Sequence, residues 1–147
     1  MAIRFTYHSG NLSTDIEEKA KKWIAEVIKR HGKSVGSISY LFSTDDFVLE
    51  ANQHYLNHDT FTDIITFDYV AGNLISGDLL ISVDRVGENA KKFNVPYQQE
   101  LLRVVIHGIH HLLGQGDKTD TEALEMRKKE EESLRLWNEM FHEEQHT

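Results

Sequence analysis

Apolar and polar positions alternate at Ile3, Phe5 and Tyr7, the period-two pattern of a half-buried strand over 2–7. Beyond it the period changes. Ile16, Ala20, Trp23, Ile24, Val27 and Ile28 recur at helical spacing up to Gly32, behind a Thr14-x-x-Glu17 capping-box pattern, and predict a helix over about 14–31. Ile38, Tyr40 and Phe42 alternate again and predict a second strand. Thr44-Asp45-Asp46 predicts the cap of a second helix carrying Phe47, Leu49 and Tyr55. Ile64, Ile65, Phe67 and then Leu79, Leu80, Ile81, Val83 form two β-rich runs. They are split by Ala71-Gly72-Asn73 and Ser76-Gly77 and read as neighbouring strands, a wide hairpin. A short helix is expected near 84–93, and Pro96 sits where a first helical turn accepts it. From Tyr97 to Gly114 a helix carries Leu101, Leu102, Val104, Val105, Ile106, Ile109, Leu112 and Leu113 nearly all round, which predicts burial. A last helix runs from about Asp120 to Phe141. The order β-α-β-α-β-β-α-α-α predicts an α+β single domain over 1–147, a mixed sheet of about four strands packed with about five helices. Its last residues, from about 142, are expected to form a frayed tail.

Composition narrows the chemistry. With 147 residues, 39% hydrophobic and 27% charged, the chain is long enough to bury a core without covalent staples. It has no cysteine, so disulfide partners, thiolate metal sites and a cysteine nucleophile are all excluded. No apolar run is long enough for a membrane anchor, and the expectation is a cytoplasmic protein without a membrane partner. The net charge of −8 argues against coating nucleic acid by bulk positive charge. That charge is uneven. Lys19, Lys21, Lys22, Lys29, Arg30 and Lys33 face the single acid Glu26, whereas acids outnumber bases from Asp117 onward.

The segment that carries chemistry is His107-Gly108-Ile109-His110-His111-Leu112-Leu113-Gly114-Gln115-Gly116-Asp117. His107 and His111 are one helical turn apart on one face, the spacing two ligands of one ion require. Gly114 ends the helix, Gly116 permits a sharp return, and Asp117 can swing back to the two imidazoles. Three protein ligands with a fourth position open is the catalytic arrangement for zinc. Such a histidine pair also occurs in plain packing. Here it sits in the most apolar helix of the chain, where two polar rings without a partner are costly, and a glycine and a carboxylate follow. His110 is rotated off that face and is expected not to be a ligand. Zinc metalloproteases place a glutamate directly after the first histidine; Gly108 stands there, which disfavours peptide hydrolysis. His142-Glu143-Glu144-Gln145-His146 spells the protease motif literally, but it lies in the polar tail with no third ligand to follow.

Residues 107–114 resemble the signature of the YbeY family of bacterial rRNA maturation factors. Asn52-x-x-Tyr55 with Asp59-x-x-Thr62-Asp63-Ile64-Ile65-Thr66-Phe67 is similar to that family's central segment, and Ser76-Gly77-Asp78-Leu79-Leu80-Ile81 to its Gly-Asp strand. Met126 and Glu130 follow as the family's trailing Met and Glu do, so the likeness spans about 35–135. It implies a zincin-like α/β fold and a zinc-dependent endoribonuclease, one ion per chain, with nickel able to replace zinc on purification. The implied substrate is single-stranded rRNA, in 16S 3′-end maturation and ribosome quality control, with the small ribosomal subunit as partner. Two departures stand out. The family ends its metal motif in Tyr-Asp-His, where this chain has Gln115-Gly116-Asp117, so a carboxylate replaces the third imidazole and makes the ion a weaker Lewis acid. The family has an arginine after the central tyrosine, where this chain has Leu56; His58 is the nearest replacement for a catalytic role.

Phosphate-attracting candidates are the Lys19–Lys33 stretch, Lys91, Lys92 and Arg103. Asp78, Thr62 and Asp63 are candidates to orient a histidine ring, or only strand caps and turn formers. Two further functional readings stand beside the endoribonuclease: a ribosome-assembly binding factor whose metal site is mainly structural, and a metal hydrolase acting on a small substrate.

Overall fold

A computed structural model describes residues 2–57 and 61–142. The chain runs β1 (Ala2–Tyr7), α1 (Thr14–Arg30), β2 (Ser34–Ser43), α2 (Asp45–Leu56), β3 (Ile64–Asp68), β4 (Leu74–Ser82), α3 (Val83–Phe93), α4 (Tyr97–Leu112) and α5 (Asp120–Met140). The strands form one mixed sheet in the order β1-β2-β4-β3. β1, β2 and β4 are parallel, and β3 pairs antiparallel with β4 from Ile64↔Ile81 to Asp68↔Gly77. The expected hairpin is present, closed by a bridge between Ala71 and Leu74. Ser76-Gly77 do not belong to the turn: they lie within β4, where Gly77 pairs with Asp68.

Alternation along the strands gives the sheet two unequal faces. On one, Tyr40, Phe42, Leu79 and Ile81 meet Trp23, Ile24 and Ile28 of α1 and Val105, Ile106 and Ile109 of α4 in the main core. Two hydrogen bonds fix the layers. Tyr40 Oη donates to the Val105 carbonyl at 2.7 Å, and Trp23 Nε1 donates to the Ser133 carbonyl of α5 at 2.7 Å. The opposite face is covered in part by α2, through Val48 on Ile65 and Leu80.

Local chemistry sets the helix ends, with several shifts from the sequence pattern. Ser13 caps α1 and not Thr14, its side chain accepting from the Ile16 amide at 3.2 Å, while the Glu17 carboxylate bonds the Tyr7 hydroxyl at 2.8 Å and pairs with Lys21. Ser82 caps α3, so Val83 begins a helix and does not end a strand. Pro96 occupies the cap position of α4 with extended backbone, one residue before the first turn. In α2 the buried positions are Val48 and Asn52, while Phe47 and Tyr55 lie at the surface. That helix covers only a corner of the sheet, so a narrow stripe is enough to seat it.

Two glycines let α4 settle on the sheet. A Cβ at Gly108 would lie 2.2 Å from Leu79 Cδ2, and one at Gly77 would lie 2.7 Å from the Phe67 carbonyl oxygen and 2.9 Å from Leu112. The helix thus approaches β4 and β3 closely and turns its His107/His111 face to the open edge of β3.

Candidate metal centre

His107 and His111 project from one face of α4 with ring centroids 4.6 Å apart. The helix ends at Gly114, whose positive φ of 100° suits glycine, and the Gly114 and Gln115 amides cap the His111 and His110 carbonyls. The chain then reverses. The Gln115 side-chain amide donates to the Gly116 and Glu122 carbonyls at 3.0 and 3.3 Å, and Thr119 with Glu122 forms a capping box that opens α5. This pins Asp117 opposite the histidines. Asp117 Oδ2 lies 3.4 Å from His107 Nε2 and 3.3 Å from His111 Nε2. Those separations are long for hydrogen bonds. They match the edge of a tetrahedron, about 3.3 Å, around an ion with bonds near 2.0–2.1 Å. The donor set of two imidazoles and one carboxylate therefore fits a divalent ion, and among the described residues this is a group that could hold one.

Each imidazole is held from behind. His107 Nδ1 donates to Glu130 Oε2 at 2.6 Å, and His111 Nδ1 donates to the Gln115 carbonyl at 2.9 Å. Protonation at Nδ1 leaves each Nε2 lone pair facing Asp117, the tautomer a ligand needs. Glu130 is itself buried, and its Oε1 accepts from Arg103 at 2.8 Å. Arg103 also pairs with the buried Glu100. Burial pushes His107 toward its neutral form, but the hydrogen bond to Glu130 and its charge outweigh this, and Asp63 and Asp117 add to them. Its pKa therefore lies above the ordinary histidine value. Burial pushes Glu130 up, but bonds from His107 and Arg103 hold it below the usual carboxylate range.

The cleft in front of these residues has a volume of about 680 Å³ and is walled by Asp63, Ile64, Thr66 and Asp68 from the β3 edge and by Leu56, Phe61 and Lys118. Its size suits a small-molecule or oligomer subsite.

The predicted residues fall into place unevenly. His107, His111 and Asp117 come together. His110 is buried away from the cleft, bonded through Nε2 to Ser133 Oγ at 2.8 Å, and burial pushes its pKa down to about 4. Gly108 points at Leu79 and Ile64, leaving no room for a protease glutamate. Asp78 orients neither ring. It lines a hollow on the opposite face of the sheet with Thr6, His8 and Ser39. Thr62 Oγ1 donates to the Ile64 carbonyl at 3.2 Å as a turn former, and Asp63 accepts from Asn89 while lining the cleft. Leu56 does present an apolar side chain to the cleft. His58 lies outside the described residues, as does the tail beyond His142.

Of the basic candidates, the α1 stretch contributes nothing to the cleft lining, and Lys19, Lys21 and Arg30 pair with acids of their own helix. Arg103 is committed to two buried carboxylates. Lys92 stands over the Phe93 ring at the end of α3. Sequence reasoning missed what holds the rings, although a signal existed: Glu130 interrupts the stripe Met126, Ser133, Trp137 that α5 turns inward.

Comparison with known proteins agrees with this architecture. The family model for endoribonuclease YbeY matches residues 5–138. An endoribonuclease YbeY from Flavobacterium johnsoniae is 48% identical over 143 residues, covering 97% of this chain and 99% of the relative. One from Porphyromonas gingivalis is 52% identical over 118 residues, 80% of this chain and 78% of its own. A Thermotoga maritima protein solved in solution superposes with a TM-score of 0.68 at 28% identity, over 97% of this chain and 93% of that one. Fold, metal-holding constellation and near-half identity over almost the full length converge: the chain belongs to the endoribonuclease YbeY family.

Proposed function

We propose that this chain is a zinc-dependent endoribonuclease that hydrolyses single-stranded rRNA, with His107, His111 and Asp117 as the ligands of one ion. The observation that carries the reading is the Asp117 carboxylate 3.3–3.4 Å from both Nε2 atoms, beside a cleft, in a chain of this family. Two imidazoles and a carboxylate with a fourth position open are a donor set that catalytic zinc takes, with nickel as the substitute a purification column would supply. When bound, the ion supplies Lewis acidity toward a phosphoryl oxygen and acidifies water near neutral pH.

The chain's own residues do the rest. Glu130 and the Gln115 carbonyl hold the two rings in register, so that no reorganisation is needed as charge develops. Asp117 sets the charge of the site. The cleft beside the edge strand β3, at about 680 Å³, is of a size for a short stretch of one strand. Its place of work in this reading is the cytoplasm, on the small ribosomal subunit. No helix among the described residues is long and apolar enough to cross a membrane.

The test is cleavage of single- and double-stranded RNA by protein of measured zinc content, beside His111→Ala. Metal-dependent cleavage restricted to the single strand, and abolished by the substitution, supports the reading. Persistent ribosome association without any cleavage by the loaded wild type would favour the binding-factor alternative.

A further inference from the structure

Counted by charge, the cleft is hostile to RNA. Asp63, Asp68 and Asp117 line it, and Leu56 is apolar. With a divalent ion bound, the three carboxylates leave it one charge negative. The cations that could compensate are engaged elsewhere: Arg103 with Glu100 and Glu130, and Arg85 with Asp45. A single cation, Lys118, appears among the described residues that line the cleft. It is exposed, and it makes no ion pair or hydrogen bond with a described residue.

We propose that Lys118 is a catalytic residue that binds the scissile phosphate, supplying the positive charge that the apolar Leu56 and the Asp117 ligand take from this cleft. The inference rests on the endoribonuclease reading. Its backbone is held from both sides. Asp117 precedes it at the ligand position, and the Thr119 amide after it donates to Glu122 Oε1 at 3.2 Å. The ammonium therefore works from a fixed root over a flexible stem, and with an ion in place it brings the cleft to neutrality. In hydrolysis a water O–H bond breaks as its oxygen bonds phosphorus. The P–O bond to the leaving sugar then breaks, and the proton passes to that leaving oxygen. Lys118 keeps its own protons throughout. Its N–H groups donate to a non-bridging oxygen, whose negative charge rises toward the transition state, so the contact strengthens as the reaction proceeds.

The test compares Lys118→Gln and Lys118→Arg with wild type at matched zinc content. Cleavage of a single-stranded RNA is followed. So is binding, across a salt series, of a single-stranded oligonucleotide whose leaving-group bridging oxygens are replaced by CH2, which keeps the phosphoryl charge and has no P–O bond to the leaving sugar to break. Lys118→Gln is expected to lose about 100-fold in kcat/KM, mainly in kcat, as for removal of one oxyanion donor. Lys118→Arg recovers most of it. The slope of log affinity against log salt becomes shallower by about 0.7 in Lys118→Gln, one phosphate contact on a single strand. Cleavage by Lys118→Gln within about threefold of wild type, a loss confined to KM, or equal damage from Gln and Arg overturns the proposal. If loaded wild type cleaves no better than His111→Ala, the endoribonuclease reading fails, and the salt slope alone still decides whether Lys118 contacts phosphate.

Discussion

Glu130 joins two systems through one carboxylate: Oε2 accepts from His107 and Oε1 from Arg103. At 3% exposure this anion has no water to fall back on, so its charge is matched by partners or not at all. Glu130→Gln keeps the shape, but its amide cannot serve both donors as an anion can. The expected outcome is a zinc affinity about 10–100-fold weaker, the usual loss when a carboxylate behind a ligating histidine is removed. Chelator competition measures it directly. Unchanged affinity would mean that Glu130 serves Arg103 alone.

At the scale of the element, α4 is positioned by absence of bulk. Gly108 lies over Leu79 and Ile64 with no space for a methyl group. Gly108→Ala has good helix propensity, yet it is expected to destabilise the protein by about 1–3 kcal/mol, because the side chains beneath must shift or the helix must lift. A thermal melt should show Tm lower by a few degrees, about 2–4 °C for each kcal/mol in a chain of this size. Lifting α4 also moves both imidazoles from Asp117, so zinc affinity should fall with Tm. A variant as stable as wild type would show that the close approach of helix to sheet is not under strain.

At the scale of the whole molecule, the candidate ligands join the C-terminal half of α4 to the loop that opens α5, so an ion there binds the folded state and not the unfolded chain. Zinc at a hundredfold excess over its dissociation constant stabilises by about 2.7 kcal/mol, which raises Tm by about 5–10 °C. EDTA should remove that increment in the wild type, while His111→Ala should show almost none to remove. A second whole-molecule property follows from the buried phenol of Tyr40. Burial raises its pKa well above the ordinary 10.0, and Tyr7 is raised by burial and by Glu17. Below pH 10 both are protonated in either state and add no pH dependence. Above it the unfolded chain loses these protons and the folded one keeps them, so stability falls as pH rises. Tyr40→Phe gives up the bond to the Val105 carbonyl, at about 1 kcal/mol near neutrality. It should also make the alkaline decline shallower by about 1.4 kcal/mol per pH unit. Urea unfolding between pH 8 and 11 checks both effects.

The periodicities of the chain by themselves determined the nine elements and their order, because strand and helix patterns arise from the local geometry of the backbone and need no partner. The same holds for the His107/His111 pair. A four-residue spacing on a helix puts two rings on one face wherever that helix sits. Asp117 was legible because Gly114 and Gly116 permit the short loop that carries it to reverse toward the two rings. The sheet order β1-β2-β4-β3 was decided only in three dimensions, where β3 takes the edge and opens a cleft beside α4. So was the role of Glu130, which a run of acids in α5 hides until packing turns one of them inward. Arg103 and the α1 lysines looked alike in sequence, as basic candidates for RNA. Lys19 and Lys21 have their acids one turn away on the same helix, a pairing that residue spacing does encode. Only tertiary contact gave Arg103 the Glu130 carboxylate and left Lys118 lining the cleft, because that arrangement depends on distances through space.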